Sequence, residues 1–345
     1  VTMPDVQPAS EVRTAVDAPV GRITLNRPKA INALTTVMVG AIAAALDAWE
    51  ADDAVSVVVL DGAGERGFCA GGDIRMFRES ALARDGAALE FWAREYALDA
   101  RIAGYPKPVV AIMDGIVMGG GIGLAGHASH RVATERLRAA MPEVGIGFFP
   151  DVGGTHLLAA APGRTGTHLA LTGLPIGAAD AVAIGLADAV VDHSRLDELM
   201  AALGSDTPDA AIATVAAASA EPPPGGIAAD RAWIDACYAA GSVAEIVGRL
   251  EAREEDAAQA AAATIRTRSP TALAVTLRAL RSDAARSSLQ ACLEQDLRIA
   301  EAFLQTPDFV EGIRAVVIDK DHDPHWDPPG LGDVTDVDRY FAPPA

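Results

Sequence analysis

Phe68-Cys69-Ala70-Gly71-Gly72-Asp73 and, further along, Met118-Gly119-Gly120-Gly121-Ile122-Gly123 are the stretches on which the reading of this chain turns. Each offers backbone N–H groups on glycines, which lack a Cβ, accept positive φ and let another molecule approach the main chain closely. Two such donors aimed at one carbonyl oxygen form an oxyanion hole, which stabilises the charge that develops there during reaction. Apolar runs precede both loops, Val55 to Leu60 before the first and Val109 to Met113 before the second. The pattern predicts that each glycine loop follows its own strand.

Outward from these loops the chain alternates. Strands are expected near 21–26, 55–60, 108–113 and 130–134, with helices near 36–51, 83–103 and 120–127 between them. Short helices over 163–172 and 178–186 and a short strand at 189–191 follow. Strands alternating with helices at this spacing define an α/β fold with right-handed crossovers. Thr35 or Thr36 is a candidate cap for the first helix, whose apolar series Val39, Ile42, Ala43, Leu46 and Trp49 has helical spacing. The run Glu221-Pro222-Pro223-Pro224-Gly225-Gly226 is the clearest break, and the pattern beyond it is almost wholly helical. The expected organisation is an irregular N-terminus over 1–20, a core over 21–221, a helical region over 222–320 and an irregular surface tail over 321–345.

Composition narrows the function classes. The 345 residues are 50% hydrophobic but only 5% aromatic, so a large core must be built mostly from Ala, Val, Leu and Ile. A formal net charge of −19 opposes a nucleic-acid partner. Cys69, Cys237 and Cys292 are odd in number and form no CxxC pair, which argues against disulfides and zinc and for a reducing, cytoplasmic setting. His193, His322 and His325 lack metal-ligand spacing, so no metal is expected. The most apolar stretch, 108–126, is interrupted by Asp114 and several glycines, so it predicts a buried strand and turn and no membrane span. A Ser-His-Asp system is unsupported, because no Gly-x-Ser-x-Gly elbow occurs.

The segment Phe68 to Ile74 followed by Gly119-Gly120-Gly121 resembles the crotonase (enoyl-CoA hydratase/isomerase) superfamily, as does the opening Ile23-Thr24-Leu25-Asn26-Arg27-Pro28-Lys29-Ala30-Ile31-Asn32-Ala33-Leu34. Two further segments, Met141 to Gly154 and Asp308 to Asp321, are similar to one of its families, the 3-hydroxyisobutyryl-CoA hydrolases. The resemblance runs from about Gly21 to about Trp326. It implies a crotonase-like (ClpP/crotonase) core of repeated β-β-α units with a helical C-terminal part. It also implies hydrolysis of a 3-hydroxyisobutyryl-CoA thioester, a step of valine breakdown, with coenzyme A entering only as part of the substrate and no separate cofactor. Enoyl-CoA hydration and non-catalytic acyl-CoA binding are the alternatives. Members of the superfamily often assemble, and a homo-oligomer is left open.

Residue by residue, the resemblance assigns Gly72 and Gly120 to the oxyanion hole and Glu143 and Asp151 to catalysis. Glu143 is then a nucleophile forming a mixed anhydride or a base activating water. Asp151 orients or deprotonates that water, or binds the 3-hydroxyl. Glu95 matches a third substrate-contacting carboxylate, beside Gly120, Glu143 and Asp151. Coenzyme A contacts fall on Lys29, Ala30, Ala70, Ile74 and Arg75. Taken alone, Asp151 also suits a helix N-cap near Gly154, and Glu95 a helix-surface acid. Hydratases carry an acid two positions after the glycine triplet, where this chain has Gly123, and that absence favours hydrolysis.

Overall fold

The run Val57-Val58-Val59-Leu60 is buried along its whole length because the sheet it joins is covered on both faces. In the computed structural model, which describes residues 10–342, this run lies in the third of nine strands. They are β1 (Val12–Asp17), β2 (Val20–Leu25), β3 (Val57–Gly62), β4 (Gly67–Cys69), β5 (Val109–Met113), β6 (Ile116–Met118), β7 (His130–Ala133), β8 (Arg138–Ala140) and β9 (Ala189–Val190). A six-stranded sheet has the order β1-β2-β3-β5-β7-β9, and a three-stranded sheet has the order β4-β6-β8. Side chains alternate faces along a strand. Val58 and Leu60 therefore enter the main core, while Val57 and Val59 enter a second cluster with Leu199, Leu203 and Ile212.

Between the strands run α1 (Thr36–Glu50), α2 (Ile74–Ala83), α3 (Ala87–Ala103), α4 (Gly120–Gly126), α5 (Gly154–Ala160), α6 (Thr165–Thr172) and α7 (Ala178–Ala183). Thr35 caps α1 by accepting from Met38 N at 3.1 Å, and the face Met38, Val39, Ile42, Leu46 and Trp49 is buried. The units β3-β4-α2 and β5-β6-α4 repeat one pattern: a long strand in the large sheet, a three-residue strand in the small sheet, then a helix. Each glycine loop therefore follows a short strand of the small sheet, and not directly the long apolar strand the sequence pointed to. Three residues are too few to show periodicity. The expected helix near 83–103 is α3 alone, and α2 precedes it; α2 buries only Phe77 and Ser80, so its pattern is faint.

The N-terminal stretch corrects the expectation of an irregular 1–20. Residues 1–9 lie outside the described part, but Val12 to Asp17 pair antiparallel with β2 in full register, Val12 with Leu25 and Asp17 with Val20. Only Val12 is buried, so this edge strand is held by main-chain pairing and leaves no hydrophobic alternation to read.

Among the described residues nine more helices follow: α8 (Leu196–Leu203), α9 (Pro208–Ala217), α10 (Ile227–Tyr238), α11 (Val243–Glu251), α12 (Asp256–Arg266), α13 (Pro270–Arg281), α14 (Asp283–Ser287), α15 (Leu289–Phe303) and α16 (Pro307–Ile313). Ser242, Ser269, Ser282 and Ser288 cap four of them through their side-chain oxygens. Ile234, Leu250, Ile265, Leu273 and Phe309 belong to the same apolar cluster as Leu25 and Leu60, so the helical part shares the core of the sheets. The C-terminal tail also departs from the surface strap expected over 321–345. Val337 to Phe341 form a 3-10 turn, and the Tyr340 ring is buried 4.8 Å from that of Phe303.

Candidate active site

The glycine loops are placed by a segment that itself stays outside the cavity. Ala70 N donates to Ile31 O at 2.9 Å, Leu34 N to Gly71 O at 2.8 Å, and Asp73 N to Leu34 O at 3.0 Å. Asn32, at φ 54°, sends its side-chain nitrogen to the carbonyls of Ala63, Gly67 and Phe68. These bonds leave the N–H of Gly72 without a main-chain acceptor among the described residues. The same holds for the N–H of Gly120, the first residue of α4. The loops abut: a Cβ placed on Gly71 would lie 3.6 Å from Gly120 N. Two unsatisfied donors thus converge on one cavity, as an oxyanion hole requires.

That cavity, about 320 Å³, brings Gly72, Gly120, Glu95, Glu143 and Asp151 together. Its floor is apolar. Trp92 stacks on Phe148 with ring centroids 5.1 Å apart, and Phe77 and Phe309 close against Trp92 at 5.0 and 5.9 Å. Into this floor α3 projects Glu95, which is 2% exposed and whose Oε1 has no partner among the described residues. A side chain on Gly120 would collide with that oxygen. Glu143 opens a short 3-10 turn (Glu143–Ile146) after Pro142, and its Oε1 would lie 3.0 Å from a Cβ on Gly119. The two glutamates therefore approach successive glycines of one loop, Glu143 at Gly119 and Glu95 at Gly120, which carries one of the hole's donors.

Asp151 is not a helix cap. Gly153 occupies the N-cap of α5, while the Asp151 side chain turns inward and accepts from the Tyr96 hydroxyl at 2.7 Å. The next residue, Val152, is held at φ 52°, a conformation costly for a β-branched residue. Its carbonyl is bonded by His127 Nε2 at 2.8 Å, and Gly153 N donates to Asp296 Oδ2 at 2.9 Å. Those two bonds fix the strained turn that aims Asp151 into the cavity. Glu95 is likewise no surface acid.

Burial and mutual repulsion set the proton affinities. Burial, then the charge of Asp151, pushes Glu143 well above the usual carboxylate range. Burial, then the charges of Asp99, Asp151 and Glu143, does the same to Glu95. Asp151 is raised by burial to about 7, with the Tyr96 hydrogen bond holding it down. Behind them Asp99 is fully buried, neither of its oxygens has a partner among the described residues, and it too is raised, first by burial. Neutral and ionised carboxyls then coexist near neutral pH, the condition for dividing acid and base work.

Of the residues assigned to coenzyme A, Ala70 and Ile74 line the cavity, while Lys29, Ala30 and Arg75 are not among its lining residues. Arg75 donates to Val317 O at 3.0 Å and so fastens α2 to the C-terminal segment. Sequence reasoning missed Tyr96, Asp99, Asp296 and Arg268. Asp99 lies one turn beyond Glu95 on the same helix face, a spacing that could have flagged it. Asp296 comes from α15 and Arg268 from the turn between α12 and α13, and no local pattern marks them.

The Enoyl-CoA hydratase/isomerase family pattern matches residues 20–341, and the chain belongs to that family. Among curated relatives it is 41% identical to the mitochondrial 3-hydroxyisobutyryl-CoA hydrolase of Danio rerio, over 93% of this chain and 87% of the relative. It is 38% identical to that of Homo sapiens, over 96% and 87%. Two solved structures share the fold closely. A carnitinyl-CoA dehydratase from Mycobacterium thermoresistibile is 51% identical with a TM-score of 0.92, covering 96% of both chains. An enoyl-CoA hydratase from Rhodobacter sphaeroides is 41% identical with a TM-score of 0.89, covering 97% of this chain and 98% of its own. Among the described residues no helix is long and apolar enough to cross a membrane.

Proposed function

We propose that this chain hydrolyses the thioester of 3-hydroxyisobutyryl-CoA, releasing 3-hydroxyisobutyrate and coenzyme A. The observation that carries the proposal is Glu143 packed against Gly119, next to the Gly120 N–H that has no main-chain acceptor among the described residues, with Asp151 in the same cavity. The names of the curated relatives supply the acyl group. Glu143, packed against the loop that bears the hole, attacks the carbonyl carbon as a carboxylate. The tetrahedral oxyanion is held by Gly72 and Gly120, the C–S bond breaks, and the thiolate leaves and takes a proton. Water then attacks the Glu143 carbonyl carbon of the mixed anhydride, with Asp151 removing its proton; the bond from that carbon to the bridging oxygen breaks, and 3-hydroxyisobutyrate leaves. Backbone donors polarise the carbonyl, so the reaction calls for no metal and no cofactor beyond the substrate's own coenzyme A. The buried free thiols Cys69, Cys237 and Cys292 fit the proposed cytoplasmic setting as they fit any reducing compartment.

A second reading, hydration or dehydration of an acyl-CoA, is favoured by the names of the two solved neighbours and by Glu95, which supplies a second acid near Glu143 from α3. Thiol release from 3-hydroxyisobutyryl-CoA, run beside crotonyl-CoA hydration, decides between them. The expected result is faster thiol release; enoyl turnover without thiol release from any 3-hydroxyacyl-CoA would reverse the assignment. A single turnover in ¹⁸O-water tests the anhydride, which should return one label to the Glu143 carboxyl.

A further inference from the structure

We propose that Arg268 is a substrate-binding residue whose guanidinium Nη1 donates to an amide carbonyl of the coenzyme A arm next to the sulfur. The inference rests on the acyl-CoA reading above. Charge along the cavity runs one way. Its three carboxyls lie on the buried floor, whereas Arg268, Val316 and His322 stand at the partly exposed rim, and Arg268 is the one arginine or lysine among the described lining residues. The acyl group therefore points inward, and the arm leaves past Arg268.

The guanidinium is fixed in place with one nitrogen to spare. Nε and Nη2 both donate to Thr172 O, at 3.1 and 2.8 Å, and Nη1 has no acceptor among the described residues. The backbone around it is pinned from three sides. Ser269 N donates to Val144 O at 3.2 Å, Ser269 Oγ to Asp308 Oδ2 at 2.5 Å, and Trp326 Nε1 to Thr267 O at 3.0 Å. Arg268 has no carboxylate partner among the described ion pairs, and burial holds its pKa below the usual arginine value. A half-buried cation in that state gains from any oxygen acceptor brought to it.

Gly145 makes the approach possible, since a Cβ there would lie 3.0 Å from Nη1. Gly145 is two residues past Glu143, and two residues span at most about 7 Å. Nη1 thus addresses what lies just beyond the reacting thioester. In coenzyme A that stretch carries neutral secondary amides, and the phosphates lie beyond the whole pantetheine arm.

Three thioesters of the same acyl group test this: with coenzyme A, with pantetheine, which lacks the nucleotide phosphates, and with ethanethiol, which lacks the amides. Thiol release by the unaltered enzyme from the first tests the hydrolase reading separately. Arg268→Gln is expected to lower kcat/KM about 10- to 100-fold, the scale of a charged hydrogen bond, equally for coenzyme A and pantetheine and chiefly through KM. The ethanethiol ester should change less than about two-fold on the same scale. A loss confined to coenzyme A would assign Arg268 to phosphate and overturn the proposal. An equal loss with all three esters would overturn it too, as damage to the acyl site. If Arg268→Gln does not fold, Gly145→Ala, which presses on Nη1, should give the same ordering of the three esters.

Discussion

The carboxyl of Asp99 fills the space left open by Gly123: a Cβ on Gly123 would lie 2.8 Å from Asp99 Oδ2 and 2.8 Å from Val152 Cβ. The space beside Gly123 is thus taken by an acid from α3, and neither Gly123 nor Asp99 is among the cavity-lining residues. Absence of a carboxylate at 123 consequently says less against hydration than it does when read from the sequence. The mark of this site is the whole group of buried carboxyls.

Gly123→Glu should accordingly fail as a route to hydration. It drives a carboxylate into a buried carboxyl and a valine, and overpacking alone costs about 1–3 kcal/mol. A melting temperature lower by several degrees is expected, with no crotonyl-CoA hydration. Asp99→Ala in the same chain should recover part of the loss, because the two positions are in contact and their effects couple. Independent effects in this double variant would refute the contact.

Glu143→Gln and Asp151→Asn should each lower kcat by roughly 10²-fold or more, with a combined effect below the product. Neither should lower the melting temperature at neutral pH, since each replaces a raised, buried carboxyl by a neutral isostere. A fall in melting temperature with kcat intact would return Asp151 to a structural role.

Gly120 can be tested for its N–H alone by comparing two variants. Alanine and proline both bring a Cβ against Glu95, but only proline removes the donor. Proline is also tolerated at the first position of a helix, which Gly120 occupies. Gly120→Pro should fall below Gly120→Ala by about 10²–10³ in kcat. Equal rates would mean that the oxyanion lies elsewhere.

Stability should decline as pH rises. Glu95, Asp99, Glu143 and Asp151 all have folded pKa values above their unfolded ones, Asp151 at about 7. The folded state thus keeps protons that the unfolded chain has released above about pH 4, so the slope of stability against pH is negative from there through the folded values. Melting temperature should be higher near about pH 5.5 than near about pH 8, and Asp151→Asn should flatten the difference. In the same window kcat should climb through about 7 as Asp151 ionises where anhydride hydrolysis limits turnover, while kcat/KM climbs with the ionisation of Glu143, which burial also raises. A melting temperature that rises towards alkaline pH would contradict this account of the cluster.

The sequence by itself determined the α/β class and the two glycine loops, and its resemblance to a known family pointed to Glu143 and Asp151. The first two features are local: a valine run and a missing Cβ read the same in any context. It also narrowed the first cap to Thr35 or Thr36, since capping is a contact within four consecutive residues, here Thr35 to Met38. Tertiary structure alone decided that Glu95 is buried, that Asp151 bonds Tyr96 and does not cap α5, and that Arg75 holds the C-terminal segment. It alone placed Asp99 beside Gly123 and Arg268 beside Gly145, and set Val12 to Asp17 as an edge strand. Each of these depends on partners far apart in the chain. Burial and charge are properties of the neighbours that packing brings together, and those neighbours also set the proton affinities on which the chemistry depends.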